Sequence, residues 1–314
     1  MAVDAAASTA AGVRNVTGPE NSSQTSLPLQ SKPTKARSPR ALLVFLLKLG
    51  IGSYVGVIIV LMALERYLIF HPAKAADSWE AAEAQVQDIQ LGTESGRVHA
   101  WWAPLPDARS AVLFCHGNAG NLSHRGYAIQ HWHRTLRASV LLFDYPGYGR
   151  SEGKPDEAGC YRAAEAAYHW LAKNGGVSPE HVIIVGESLG ASVAVEMAHR
   201  HDHKALVLIS GFTSIPDMAG VTFPLLPLRW LVRNRFDSLS KIAECHRPVF
   251  IAHGTADTIV PYWMSAKLFE AANEPKRFFR MEGRDHNEPP GEDFYRALGE
   301  FLEGSRRLPQ TVGR

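Results

Sequence analysis

Gly186-Glu187-Ser188-Leu189-Gly190 stands between the apolar run His181-Val182-Ile183-Ile184-Val185 and the segment 191–198. The run reads as a short buried strand and the segment as a helix. A strand that becomes a helix across five residues must turn sharply, and backbone from both elements crowds the turn. Gly186 and Gly190 leave the room that a side chain would fill. The turn lifts the Ser188 hydroxyl out of the sheet and over the first turn of the helix, where backbone amides favour developing negative charge. G-x-S-x-G in that setting is the pattern of a nucleophilic serine. The same pentapeptide can also be an ordinary turn, so the rest of the chain must supply a base, an acid and an oxyanion site.

Around this turn, strands and helices alternate. Residues 86–91 and 97–103 read as a strand pair joined by a turn at 92–96. Further strands are expected at 110–115, 139–143, 205–210, 248–253 and 277–281, with helices at 124–137, 157–172, 263–272 and 293–302. This spacing predicts an α/β fold, a mostly parallel sheet with helices on both faces. The body, residues 65–303, reads as one domain, with a short tail at 304–314.

Two segments precede the body. Residues 1–40 are rich in Ala, Ser, Thr, Pro and Gly and hold almost no large apolar side chain, so they are expected to be disordered. Residues 41–64 form the one membrane-length apolar stretch, interrupted only by Lys48. At about 1.5 Å per residue it can cross a hydrocarbon layer of about 30 Å, with Lys48 near one end reaching the interface. It shows no amphipathic face, which argues against a buried core helix. Lys32, Lys35, Arg37 and Arg40 precede it, whereas Glu65 and Arg66 behind it cancel. That bias predicts a single-pass membrane protein with a cytoplasmic N-terminus and the body on the far side.

The formal charge of +2 divides unevenly, with +3 on residues 1–40 and about −1 on the rest. A near-neutral body lacks the concentrated basic surface that nucleic-acid binding needs. Cys115, Cys160 and Cys245 are too few and too scattered for a disulfide framework, and Cys115 lies within an apolar run.

A serine nucleophile needs a base to take its proton and an acid to orient that base. Residues just past strand ends gather at one edge of a parallel sheet. Asp257 follows the strand at 248–253 and His286 follows the strand at 277–281, both in glycine-bearing loops. They complete an ordered set, Ser188, Asp257, His286, that is expected to be the catalytic triad. Asp285 and Glu282 are nearer His286 in sequence, but adjacent side chains rarely aim at one another's ring. The oxyanion donors are expected to be the backbone amides of Leu189 and Asn118, with Ala119 in reserve.

His116-Gly117-Asn118-Ala119-Gly120-Asn121, Asp144-Tyr145-Pro146-Gly147-Tyr148-Gly149, the Ser188 pentapeptide, His253-Gly254-Thr255-Ala256-Asp257 and Asp285-His286-Asn287 together resemble the α/β-hydrolase superfamily. They are most similar to its membrane-anchored serine hydrolases related to depalmitoylases and lysophospholipid lipases. Arg66-Tyr67-Leu68-Ile69-Phe70-His71-Pro72 resembles that branch too, so the likeness runs from about residue 65 to 302. It implies ester or thioester hydrolysis without a cofactor. The chain departs from the depalmitoylases at its N-terminus, where their cysteine cluster has no counterpart before Cys115.

The segment 211–248 carries Phe223, Leu225, Leu226, Leu228 and Trp230, which are expected to line or cover an apolar acyl site unless they pack on the core. His199, His201 and His203 alternate, so they point to different sides and predict no metal site. The expected partners are a small acyl or lipid-like ester and the membrane, with no nucleic acid and no obligate protein partner. Two other readings compete. A non-catalytic scaffold at the membrane would have no physical need of a triad, and a peptidase of the same fold would carry a substrate-gating domain.

Overall fold

A computed structural model of the chain describes residues 38–82 and 85–305. The expected tails lie outside them, except for residues 38–40 and 304–305. A long helix, α1 (Pro39–Ile69), opens the described chain, so the apolar helix starts earlier and ends later than its hydropathy implied. Its most apolar window is entirely unburied, so no core claims it. It is a candidate transmembrane helix by length and composition.

The elements that follow are β1 (His71–Pro72), β2 (Gln87–Thr93), β3 (Gly96–Ala103), β4 (Ser110–Cys115), β5 (Ala119–Gly120), α2 (Tyr127–Leu136) and β6 (Ala138–Phe143). After them come α3 (Glu157–Lys173), β7 (Val182–Glu187), α4 (Leu189–Arg200), β8 (Ala205–Ile209), α5 (Ile215–Thr222), α6 (Leu228–Leu231) and α7 (Leu239–Ile242). The described chain closes with β9 (Val249–Gly254), α8 (Tyr262–Ala271), β10 (Lys276–Met281) and α9 (Glu292–Ser305). Eight strands form one sheet in the order β10-β9-β8-β7-β4-β6-β3-β2. Only β3 runs against its neighbours, pairing antiparallel with β2 and β6. The other pairings are parallel. This is the mostly parallel α/β sheet with helices on both faces that the strand–helix spacing predicted.

Side chains alternate across the central strands, as the twofold strand period requires. Val182 and Ile184 join a core that includes Ala163, Val193 and Leu268 from α3, α4 and α8. Ile183 and Val185 join another with Ile129 and Trp132 from α2 and Phe294 and Leu298 from α9. The helix expected at 124–137 is shorter, because Leu122–Arg125 forms a 3-10 turn, capped by the Asn121 side chain on the Ser123 amide, before α2 begins. The start of α3 is fixed by Asp156, whose carboxylate accepts the Gly159 amide at 2.6 Å.

Candidate active site

The ends of β4, β7 and β8, the start of α4 and the loops after β9 and β10 meet where β7 ends. Ser188 sits between β7 and α4 with φ 54° and ψ −116°, a conformation that costs about 1–3 kcal/mol and persists only where its surroundings fix it. Two glycines make that possible. A Cβ on Gly186 would stand 2.2 Å from the Gly190 carbonyl oxygen, and one on Gly190 would stand 2.0 Å from the Cys115 carbonyl oxygen. Neither position tolerates a side chain. The Ser188 amide donates to the Ile209 carbonyl at 2.9 Å, which ties the turn to the end of β8.

The structure brings Ser188, His286 and Asp257 together. The Ser188 hydroxyl lies 2.9 Å from His286 Nε2, and His286 Nδ1 lies 2.7 Å from Asp257 Oδ2. A carboxylate only accepts, so Nδ1 carries the proton and Nε2 is free to accept from the serine. Burial pushes the Asp257 carboxyl up, but hydrogen bonds from His253, His286 and the Val260 amide outweigh it. Asp257 is held well below the usual carboxylate range and keeps its charge. Asp285 does something else. Its Oδ1 accepts the His286 amide at 2.8 Å and the Thr258 amide and hydroxyl at 2.9 Å, so it staples the two loops together instead of orienting the ring. Glu282 faces Arg280 and the Thr255 hydroxyl.

Leu189 is the first residue of α4, where a helix amide has no intrahelical acceptor. The loop holding Asn118 runs against the serine, since a Cβ on Gly117 would lie 3.5 Å from Ser188 Cβ. The Asn118 side chain donates to the Ile69 carbonyl at 3.0 Å. Its own carbonyl accepts from the His71 amide at 3.0 Å and the Tyr148 hydroxyl at 2.7 Å. The Asn118 backbone N–H has no acceptor among the described residues.

Several contributors were not visible in the sequence. Tyr145 and Tyr148 are fully buried, and their hydroxyls donate to the His116 and Asn118 carbonyls, both at 2.7 Å. They clamp the loop from behind, so the Asp144–Gly149 turn supplies positioning and not mere connection. His253 is a second histidine on the acid, with Nε2 3.0 Å from the Val260 carbonyl and 3.2 Å from Asp257 Oδ2. Arg125 pairs with Glu187 at 3.2 Å beside Gly117. Burial would lower the Arg125 guanidinium, but the Glu187 carboxylate more than restores it. Burial, with Glu187 adding to it, also pushes the neighbouring Tyr127 hydroxyl up to about 12.

The five apolar residues expected over the site differ in burial. Leu225 is 87% exposed and Trp230 73% exposed, Phe223 and Leu226 are half-buried, and Leu228 is buried. The alternating histidines do not converge either, as His199 faces Glu244 while the His203 ring meets the His201 carbonyl. His201 instead joins His169 around the Glu165 carboxylate, at 2.7 and 3.0 Å. These three could reach one metal ion by spacing. Arg200, 3.7 Å from the same carboxylate, already supplies a cation there.

Residues 110–231 match the alpha/beta hydrolase fold family. An uncharacterized protein of Mycobacterium tuberculosis is 40% identical over 262 residues, covering 81% of this chain and 93% of its own length. The human alpha/beta hydrolase domain-containing protein 17B is 33% identical over 209 residues, covering 67% of this chain and 68% of its own. The chain belongs to the α/β-hydrolase family. Among solved structures, an esterase of Pyrococcus furiosus superposes with a TM-score of 0.62 at 19% identity, covering 76% of this α/β-hydrolase chain and 98% of the esterase. Est1E of Butyrivibrio proteoclasticus gives 0.57 at 15% identity, covering 70% and 99%. At these identities the solved structures speak for the fold.

Proposed function

We propose that this α/β-hydrolase is a membrane-anchored serine hydrolase that cleaves carboxylic ester or thioester bonds of acyl or lipid-like substrates. The observation that carries the reading is the relay from the Ser188 hydroxyl through His286 to Asp257, at 2.9 and 2.7 Å. In it Ser188 attacks the acyl carbon while His286 Nε2 takes its proton. The ionised Asp257 stabilises the imidazolium that results. The Leu189 and Asn118 amides receive the charge on the acyl oxygen. His286 then returns its proton to the departing alcohol or thiol, and a water molecule, deprotonated by the same ring, releases the acid from the acyl-enzyme. Every proton transfer is served by a group in place, so the cycle calls on no cofactor.

α1 supports the anchoring half of the reading, and the basic residues before it favour a cytoplasmic N-terminus with the body on the far side. A reporter active only in the cytoplasm, fused after Arg314, should then be silent. Fluorophosphonate should label the wild-type protein, and Ser188→Ala should abolish labelling and lower ester hydrolysis by several orders of magnitude. Turnover by that variant within about tenfold of wild type would overturn the reading.

A further inference from the structure

The segment between β8 and β9 holds two of the most exposed large apolar side chains among the described residues, Leu225 and Trp230. Exposure of single apolar residues is ordinary. Their position is not. The Tyr54 hydroxyl, on α1, donates to the Leu225 carbonyl at 2.9 Å. Farther along the same helix, the buried Glu65 carboxylate accepts the Arg233 amide, the Asn234 amide and the Asn234 side chain at 2.8–2.9 Å. Two ties therefore lay residues 225–234 along α1. Tyr54 and Glu65 are eleven residues apart, or about 16 Å at about 1.5 Å per residue.

The helix between those ties, Val55 to Leu64, carries no charge, and the first charged residues after it are Glu65 and Arg66. If α1 crosses a bilayer, as the anchored reading holds, Glu65 marks the interface and Leu225 lies on the hydrocarbon side of it. We propose that residues 221–231 form a second membrane-inserted element, seated among lipid acyl chains beside α1. This inference rests on the anchored reading and adds a second contact with the same membrane.

Part of the segment's backbone is satisfied within the protein. Irregular backbone in hydrocarbon must have its polar groups satisfied within the protein. Pro224 and Pro227 have no N–H to satisfy. The Phe223 amide donates to the Ala219 carbonyl at 2.9 Å and the Leu226 amide to the Phe223 carbonyl at 3.0 Å. Tyr54 supplies a donor to the Leu225 carbonyl, and that carbonyl in turn satisfies a hydroxyl lying mid-way along an apolar helix. In water neither group would need the other. The charge pattern agrees. Between Met218 and Val232 the one charged residue is Arg229. Its guanidinium lies 5.4 Å over the Trp230 ring and 3.9 Å from Asp217, an aromatic and a cation together as at a bilayer interface.

The test uses the full chain in phosphatidylcholine vesicles. Cys115, Cys160 and Cys245 are buried, so Leu225→Cys offers a selective site for an environment-sensitive fluorophore. Lys173→Cys, on the exposed end of α3, is the aqueous control. The label at 225 should emit at shorter wavelength than the label at 173. Doxyl-labelled lipid should quench it, and aqueous iodide should quench it several-fold less than the control. Retention of the protein through alkaline carbonate extraction, with equal iodide quenching at both sites, would overturn the insertion and leave the anchor standing. Release by carbonate would overturn the anchor and the insertion with it.

Discussion

Tyr145 and Tyr148 clamp one loop, yet losing their hydroxyls should have unequal costs. Tyr145→Phe removes the donor to the His116 carbonyl, which has no other donor among the described residues and belongs to a residue only 1% exposed. An orphaned buried acceptor costs about 1–3 kcal/mol. Tyr148→Phe removes a donor from the Asn118 carbonyl, but the His71 amide still serves that oxygen at 3.0 Å. There the cost is that of one net hydrogen bond, about 0.5–1.5 kcal/mol. Urea melts monitored by circular dichroism should rank wild type above Tyr148→Phe above Tyr145→Phe. Both changes free the loop that aims the Asn118 amide, so both should lower kcat on a soluble short-chain ester. The fall should be about tenfold, less than the hundredfold or more expected when an oxyanion donor is lost outright. KM should hardly move, because the amide acts on charge that develops after binding. A Tyr148→Phe protein no more stable than Tyr145→Phe, or a loss seen only in KM, would refute the account of the clamp.

Asp257→Asn should lose several orders of magnitude in kcat, whereas Asp285→Asn, which touches a staple and not the ring, should keep most activity in the same ester assay. Because the folded Asp257 carboxyl titrates below its ordinary value of 3.8, the folded state binds fewer protons than the unfolded one just under that pH. Its contribution is present above about pH 4 and lost as pH falls, so acid unfolding of Asp257→Asn should show a shallower pH dependence below pH about 5. His253→Leu removes a hydrogen bond to the acid and should lower kcat by about tenfold with KM retained, while acid unfolding moves to higher pH; unchanged acid unfolding would make His253 a packing residue only. Gly190→Ala places a Cβ 2.0 Å from the Cys115 carbonyl oxygen and should yield no soluble folded protein; a soluble variant with the wild-type melting temperature would contradict the crowded turn.

What could be read in the sequence was what depends on local pattern. The apolar runs gave the central strands, and the two glycines around Ser188 gave the turn. Strand-end position picked Asp257 over Asp285, and the structure places Asp257 on the ring. What could not be read depends on partners far away in the chain. Glu65 reads as a flanking charge that cancels Arg66, but its carboxylate is buried on amides 168 and 169 positions later. His253 reads as a strand residue, and only the fold turns its ring toward Asp257. Tyr145 and Tyr148 sit in a turn rich in Pro and Gly, where nothing local says that their hydroxyls reach another loop. Leu225 and Trp230 show a further limit. Hydrophobicity marks a residue that avoids water, but it does not say whether protein or lipid replaces the water.

The long helix ends at Ile69, and two residues later His71 is already paired with the loop that carries Asn118. The Ile69 carbonyl itself holds the Asn118 side chain. No slack separates helix from site, so the pairing works as a rigid bracket and not as a leash. The end of the helix and the Asn118 loop therefore share hydrogen bonds, and a flexible insertion after Ile69 would separate them. A fragment trimmed back to Phe70 would keep the His71 pairing but lose the Ile69 carbonyl that holds the Asn118 side chain.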